Sequence, residues 1–371
     1  YEVIFMIEKK SIQNLEFNKI TDKLASMASN EITASKCRSL TPETDTDIIK
    51  DSLKTVSEAC FVMTQRQYPS TSGLKDITGS IRRAEIGGSL NMSELLDIAR
   101  MCRISKTLAS FYKFDKREEL LLDSYFAVLS PCTELERSIS DAIISDSEMA
   151  DNASPMLSAI RRKINGTHEK LKAELNKLIH GSAHKTHLQE SIITIRNGRY
   201  VLPVKSEYRS EIGGIVHDMS ASGATVFIEP NAAVEANNIL RELEIKEKAE
   251  IDRILSELSA KVSENKDRLL SDFNAIKVID FIFTKALYSR SIRGIMPKIN
   301  QEGRVIIKNG RHPLLNPSTV VPITIEMGEN IRTLVITGPN TGGKTVTLKT
   351  VGLFSLMAAA GLLIPVAEGS D

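Results

Sequence analysis

Apolar residues in the first part of the chain recur at three- and four-residue steps. Phe17, Ile20, Leu24 and Met27 form one such stripe, and Ile49, Leu53, Val56, Cys60 and Met63 form another. That period brings the apolar side chains to one face of a helix. A third helix is expected from an N-cap at Ser93 to about Lys113, with breaks at Ser72-Gly73 and Gly87-Gly88. A longer helix has a clean start signal. The Ser154 hydroxyl can cap it, and Pro155 fits its first position, where a missing N–H costs nothing. Its stripe is Leu157, Ile160, Ile164, Leu171, Leu175 and Leu178, interrupted by His168 and ended by Gly181.

The periodicity then changes. Residues 192–195 and 200–204 read as two strands around Asn197-Gly198, a pair that tolerates the positive φ of a tight hairpin turn. A second pair, 214–219 and 224–228, is joined through Ser220, Ala221, Ser222 and Gly223. Helical spacing returns with Ala236, Leu240, Leu243, Ile251, Ile254, Leu258 and Val262. Two long helices with a small β module between them predict an antiparallel stalk with a tip. From about Met296 the pattern becomes α/β, with strands at 304–307 and 333–337 and a helix over 346–362.

Composition changes this picture little. A chain of 371 residues exceeds one ordinary domain, and roughly 150 residues per domain gives two or three. Aromatics at 5% and the absence of Trp fit extended helical architecture. A formal net charge of +1 carries no global signal for nucleic acid, so any phosphate-binding surface is local. Cys37, Cys60, Cys102 and Cys132 show no metal-ligand or CxxC spacing and read as free buried thiols of a reducing compartment. The first five residues form a short, mainly apolar run but lack a basic region and a cleavage site, so no signal peptide is read there; Met6 would make a natural initiator. No apolar run reaches the ~18 residues that span a bilayer. A cytoplasmic protein without a membrane partner is expected.

The strongest chemical signal is Gly338-Pro339-Asn340-Thr341-Gly342-Gly343-Lys344-Thr345, a full match to the phosphate-loop pattern of nucleotide-binding proteins. Its context fits, with an apolar strand before it and a helix after it. Glycines let backbone N–H groups close around phosphate oxygens, and the helix N-terminus adds partial positive charge. Lys344 is expected to reach the β- and γ-phosphates of ATP, and the Thr345 hydroxyl to ligate Mg²⁺. Arg311-His312-Pro313, upstream, reads by itself as a surface turn.

The long helix carries the best local charge signal. Between 161 and 185 it has seven basic residues, Arg161, Arg162, Lys163, Lys170, Lys172, Lys177 and Lys185, against Glu169 and Glu174, a balance of +5. His168, His180, His184 and His187 add chargeable groups. Such charge suits phosphate contacts, which carry little sequence information; a solvated helix face is the alternative. Arg196 and Arg199 flank the first hairpin turn as further candidates in a nearly neutral tip.

Gly-Arg-His-Pro-Leu-Leu at 310–315, followed by Thr-Gly-Pro-Asn-Thr-Gly-Gly-Lys-Thr at 337–345, resembles the MutS ATPase domain. Arg-Asn-Gly-Arg-Tyr-Val-Leu-Pro-Val-Lys at 196–205 and Ser-Ala-Ser-Gly-Ala-Thr-Val-Phe-Ile-Glu-Pro at 220–230 are similar to the second bacterial MutS paralogue, the MutS-two subfamily. The resemblance runs from about Ile7 onward. It implies a mainly α lever and core region with a small β clamp module, followed by a truncated α/β ABC-type ATPase domain. The implied boundaries are 6–153 for the helical core, 154–265 for the long helices with the clamp at about 190–230, 266–295 for the return to the core, and 296–371 for the start of the ATPase domain. It further implies a homodimer, ATP and Mg²⁺ as cofactors, and DNA, branched or duplex, or the ribosome and its rRNA as target. Suppression of homologous recombination and splitting of collided ribosomes are the associated roles, with endonuclease activity in a C-terminal Smr domain.

The chain ends 27 residues after Lys344, before any Walker B carboxylate or signature loop. By itself it is therefore not expected to hydrolyse ATP, and the helix after the phosphate loop is expected to expose its apolar side chains. Other ABC-type ATPases with coiled-coil arms, such as RecN-like proteins, usually place the phosphate loop before the arm, whereas here it follows. A non-enzymatic binding fragment is the remaining alternative.

Overall fold

The computed structural model describes residues 9–113, 118–181, 186–328, 331, 333–337 and 343–371. The initiator reading at Met6, His184, Lys185 and the loop residues Gly338, Pro339, Asn340, Thr341 and Gly342 lie outside them. The described chain is mainly helical with small antiparallel sheets. Its elements run α1 (Lys9–Asn14), α2 (Phe17–Ser26), α3 (Glu31–Arg38), α4 (Thr46–Gln65), α5 (Thr78–Glu85), α6 (Met92–Phe111), α7 (Leu122–Ala127), α8 (Thr133–Ala142), β1 (Ile143–Ser145), β2 (Glu148–Met149), α9 (Pro155–His180), β3 (Thr194–Arg196), β4 (Arg199–Lys205), β5 (Gly214–Met219), β6 (Thr225–Pro230), α10 (Asn231–Glu264), α11 (Lys266–Ser291), β7 (Val305–Gly310), β8 (Ile323–Met327) and α12 (Lys344–Ala359). They fall into two compact units, one made of Tyr1–Arg82, Asp97–Arg137 and Glu264–Asp371, the other of Arg83–Leu96 and Ser138–Ser263.

In the first unit the expected stripes face inward. Phe17, Ile20, Leu24, Ile49, Leu53 and Val56 are buried, and Met27, Cys60 and Met63 half-buried. The centre is α11, which buries Phe273, Ile276, Ile279 and Phe283 among others; its first turns expose Asp267, Arg268, Ser271 and Asn274, whereas no residue from 275 to 289 is exposed, the pattern of a helix surrounded by protein. Two carboxylates inside it are satisfied by neighbours. Asp280 accepts from Asn30 Nδ2 (2.9 Å), Thr71 Oγ1 (2.8 Å), Tyr68 OH (3.0 Å) and Thr33 Oγ1. Asp272 accepts from Ser130 N (2.7 Å) and Ser105 Oγ. A buried charge is tolerable only when its lone pairs are filled in this way.

A second cluster in this unit contains α12. Leu353, Phe354, Leu356, Met357 and Leu362 are buried with Phe17, Ile20 and Leu24 of α2 and Ile307 and Ile325 of the β7–β8 pair. The expectation that this helix exposes its apolar residues is therefore corrected: the first helices of the chain and a two-stranded sheet cover it. The strand β8, unforeseen in the sequence, supplies part of that cover.

The second unit holds α9, α10 and the β module. Ser154 caps α9 as expected, accepting from Leu157 N at 2.9 Å, with Pro155 in the first turn. Asn197 and Gly198 have φ of 52° and 73°, the paired positive values of the predicted turn. The two hairpins join into one four-stranded sheet in the order β3-β4-β6-β5. Its inner face, with Leu202, Val204, Val226 and Ile228, packs on Leu171, Leu175 and Ile179 of α9 and Ala233 and Leu240 of α10. Each fully buried leucine of this kind contributes about 1.5–3 kcal/mol. Contacts between α9 and α10 run in opposite sequence directions, Ser154 meeting Glu250 and Arg161 meeting Glu247, as an antiparallel pair requires. The α6 cap differs from expectation. Asn91, not Ser93, closes that end, with Glu94 N donating to Asn91 Oδ1 (2.9 Å) and Asn91 N to Glu94 Oε2 (3.0 Å). This reciprocal pair satisfies two end N–H groups, which Ser93 could not match.

Candidate nucleotide and nucleic-acid sites

Only the last part of the phosphate-loop sequence falls on described residues. Gly343 stands at the N-cap of α12 with φ 82°, a left-handed conformation that glycine adopts without steric cost. Thr347 N donates to the Gly343 carbonyl at 2.9 Å. Lys344 and Thr345 are the first two residues of α12, Lys344 half-buried and Thr345 exposed. Their backbone N–H groups belong to the end of the helix that favours anions.

The segment leading in departs from expectation. Residues 333–337 form no strand, and Leu334, Val335 and Ile336 are 44%, 76% and 40% exposed. A strand is held by backbone partners on its edges, and no described residue pairs with these five; β7 and β8 pair only with each other.

Charged groups surround the first turns of α12. Glu16, at the N-cap of α2 with φ 60°, accepts from Lys349 Nζ of α12 at 3.1 Å and from Lys19 Nζ. Lys19 and Lys349 hold its carboxyl down to about 2. His312 of the Arg-His-Pro turn is buried, not on the surface, and burial lowers its pKa. Its Nδ1 accepts from Leu314 N at 3.3 Å, and Arg311 N donates to the Pro365 carbonyl at 2.9 Å. Lys23 Nζ of α2 reaches the Pro313 carbonyl at 3.3 Å. The turn thus pins the β7–β8 connection to α2.

The candidate nucleic-acid residues divide into two groups. Arg161 is engaged within the protein: its Nε donates to Glu247 Oε1 (2.7 Å) and its Nη1 to the Met149 carbonyl (2.7 Å) and to Asp151. Arg199 donates to Glu229 Oε1 and to Asn238 Oδ1, both at 2.7 Å. Arg196 lies 4.2 Å from the Phe227 ring centroid and 3.5 Å from Asp218. Arg162, Lys163, Lys170 and Lys172, by contrast, are exposed on α9. Lys163 and Lys170 are seven residues apart, on one face of the helix. Among the described residues no group of three or more His, Cys, Asp or Glu side chains that could hold a metal ion comes together.

A feature not anticipated in the sequence sits under the tip. Glu229 is fully buried, accepts from Arg199 and from Asn237 Nδ2 (2.8 Å), and shares a hydrogen bond with His217 Nε2 (2.5 Å). Asn237 of α10 also holds both backbone groups of Tyr200. One carboxylate thereby joins β6 to β4, β5 and α10. The lone acid between Ile228 and Pro230 in an otherwise apolar run was the available signal.

The chain belongs to the MutS family, as the resemblance implied. Within that family it falls in the MutS2 group. It is 47% identical to Endonuclease MutS2 of Acetivibrio thermocellus over 370 residues, which is 98% of this chain and 46% of that protein. It is 43% identical to Endonuclease MutS2 of Ruminiclostridium cellulolyticum (98% and 46%) and 44% identical to that of Geobacillus kaustophilus (98% and 47%). The chain spans about half the length of the curated relatives it matches. No protein-family model matches it. No helix among the described residues is long and apolar enough to cross a membrane.

Proposed function

We propose that this chain is the core, stalk and phosphate-loop region of a MutS2-type ATPase that grips nucleic acid as a homodimer. The observation that supports nucleotide binding most directly is the junction at Gly343, where a left-handed glycine delivers the loop sequence into the first turn of a buried helix. The residues fit Mg²⁺-ATP. Gly343 leaves room for phosphate oxygens, Lys344 supplies charge for the β/γ-phosphates, and the exposed Thr345 hydroxyl is available to the metal. Bound Mg²⁺ would neutralise charge developing on the transferred phosphoryl group. The loop residues Gly338, Pro339, Asn340, Thr341 and Gly342 are assigned to the same site by sequence.

For nucleic acid, the exposed α9 cations Arg162, Lys163, Lys170 and Lys172 are the contacts we favour. Arg161, Arg196 and Arg199 serve the unit's own packing. Such a surface reads phosphate and not base, which suits branched or duplex DNA and rRNA alike. In the longer protein we place it in suppression of recombination, in splitting of collided ribosomes, or in both, with endonuclease activity, named in the relatives, carried elsewhere.

The test uses the full-length protein. Lys344→Ala is expected to abolish ATP hydrolysis while the protein stays folded; unchanged turnover removes the assignment. Reversing charge at Arg162, Lys163 and Lys170 together is expected to weaken binding to all sequences and to reduce its salt dependence. A strong preference for a mismatched over a matched duplex in the parent protein would contradict a phosphate-reading surface.

A further inference from the structure

Lys285 lies within α11 and is only 5% exposed. Its Nζ donates to the Ala360 carbonyl at 2.7 Å and to the Ser52 hydroxyl at 3.4 Å, and stands 4.8 Å from the Phe281 ring centroid. Among the described residues no carboxylate forms an ion pair with it. Lys36 of α3 approaches the same ring, at 4.6 Å. Burial, followed by the Lys36 charge, lowers the Lys285 pKa to about 8.

A buried cation without a carboxylate is a costly way to fill space. Apolar side chains of similar volume usually do as well or better where stability alone is at stake, and methionine is close in shape. What the ammonium can do, and methionine cannot, is bind the negative end of a helix. Ala360 is the C-cap of α12, so the contact falls where carbonyls lack intrahelical partners and a cation is favoured. The preceding carbonyl, that of Ala359, accepts from Glu43 N at 3.0 Å. The backbone at this end is shaped to admit the lysine. Gly361 has φ 68°, and a Cβ there would collide with Ser52 Oγ and lie 3.2 Å from Lys285 Nζ. The opposite end of the same helix begins at Gly343-Lys344.

We propose that Lys285 is a positioning residue for nucleotide binding: its ammonium latches the C-terminal end of the phosphate-loop helix to α11, so that seating of the phosphate loop and placement of α11 change together. This inference rests on the nucleotide-binding reading of the loop. Coupling of this kind is reciprocal. What nucleotide does to the latch, the latch does to nucleotide affinity.

The chain contains no tryptophan, so an indole introduced at this contact is read as the difference in emission between the variant and its parent. In the full-length protein, Phe281→Trp places a fluorophore at the half-buried ring beside Lys285. MgATP is expected to change its emission. Adding Lys285→Met is expected to weaken MgATP binding about tenfold, within the usual span of coupling between sites, and to remove the emission change; Lys285→Arg is expected to restore both. Far-UV circular dichroism and the urea midpoint establish that each variant is folded. If Lys285→Met does not fold, Lys285→Gln, which keeps a donor but no charge, takes its place with the same expectation. A folded neutral variant with parental affinity and emission change overturns the latch and leaves the nucleotide site standing. Absence of MgATP binding in the parent, with Lys344→Ala indistinguishable from it, overturns both.

Discussion

Before the sequence 338–345, residues 333–337 run unpaired with Leu334, Val335 and Ile336 exposed; after it, α12 buries Leu353, Phe354 and Met357 almost completely. Both stretches are strongly apolar, so hydrophobicity does not separate them. Backbone hydrogen bonding does. A helix closes its own ladder and needs only apolar surface to dock on, which α2 and the β7–β8 pair provide. A strand takes its hydrogen bonds from other strands, and none of the described elements pairs with 333–337.

The contrast can be broken most directly in the core. Phe354→Ala removes a ring that is 2% exposed, and truncations of this kind cost about 3–5 kcal/mol. Urea unfolding is expected to show a loss of that size; a loss below about 1 kcal/mol would mean that α12 is not docked in solution, since well-packed aromatic sites do not behave so.

A second, smaller effect concerns pH. Lys285 holds the end of α12, and its folded pKa of about 8 lies below the ordinary lysine value of 10.5. Between these values the unfolded chain keeps a proton that the folded chain has lost, so stability rises with pH. Its contribution is complete above 10.5 and is lost as pH falls through 8. The facing groups are Lys36 and Cys37 of α3 and Glu43. Burial pushes the Cys37 thiol up to about 12, so it stays neutral through that window. Urea midpoints of the parent are expected to climb relative to Lys285→Met across the window; parallel curves would show that the lysine titrates normally.

The smallest effect is expected at Val335, 76% exposed. Val335→Ala should change stability by no more than about 0.5 kcal/mol, as exposed substitutions do. A cost rivalling that of Phe354→Ala would place 333–337 in a sheet after all.

What could be read from sequence was local. The cap at Ser154, the Asn197-Gly198 turn and the Phe17, Ile20, Leu24 stripe each depend on residues within a few positions of one another, and each is present. The α6 cap was missed because Asn91 and Ser93 both have capping side chains, and only Glu94, three residues after Asn91, discriminates. What failed was long-range. Arg161, Arg196 and Arg199 read as free cations because Glu247, Asp218 and Glu229 lie far along the chain. The covering of α12 depends on residues more than three hundred positions earlier. Such pairings leave no periodicity, and charge alone cannot distinguish an arginine that reads phosphate from one that holds two strands together.

Ser154 faces two ways: it caps α9 and donates to Glu250 Oε1 of α10 at 2.6 Å, while two turns further along Arg161 grips Glu247. Sliding one helix along the other by a single turn, ~5.4 Å, would break both contacts at once. The pair is therefore keyed at its foot. A one-turn slip between α9 and α10 must therefore give up both contacts together, and neither helix offers a second register in which Ser154 and Arg161 both meet the same acids.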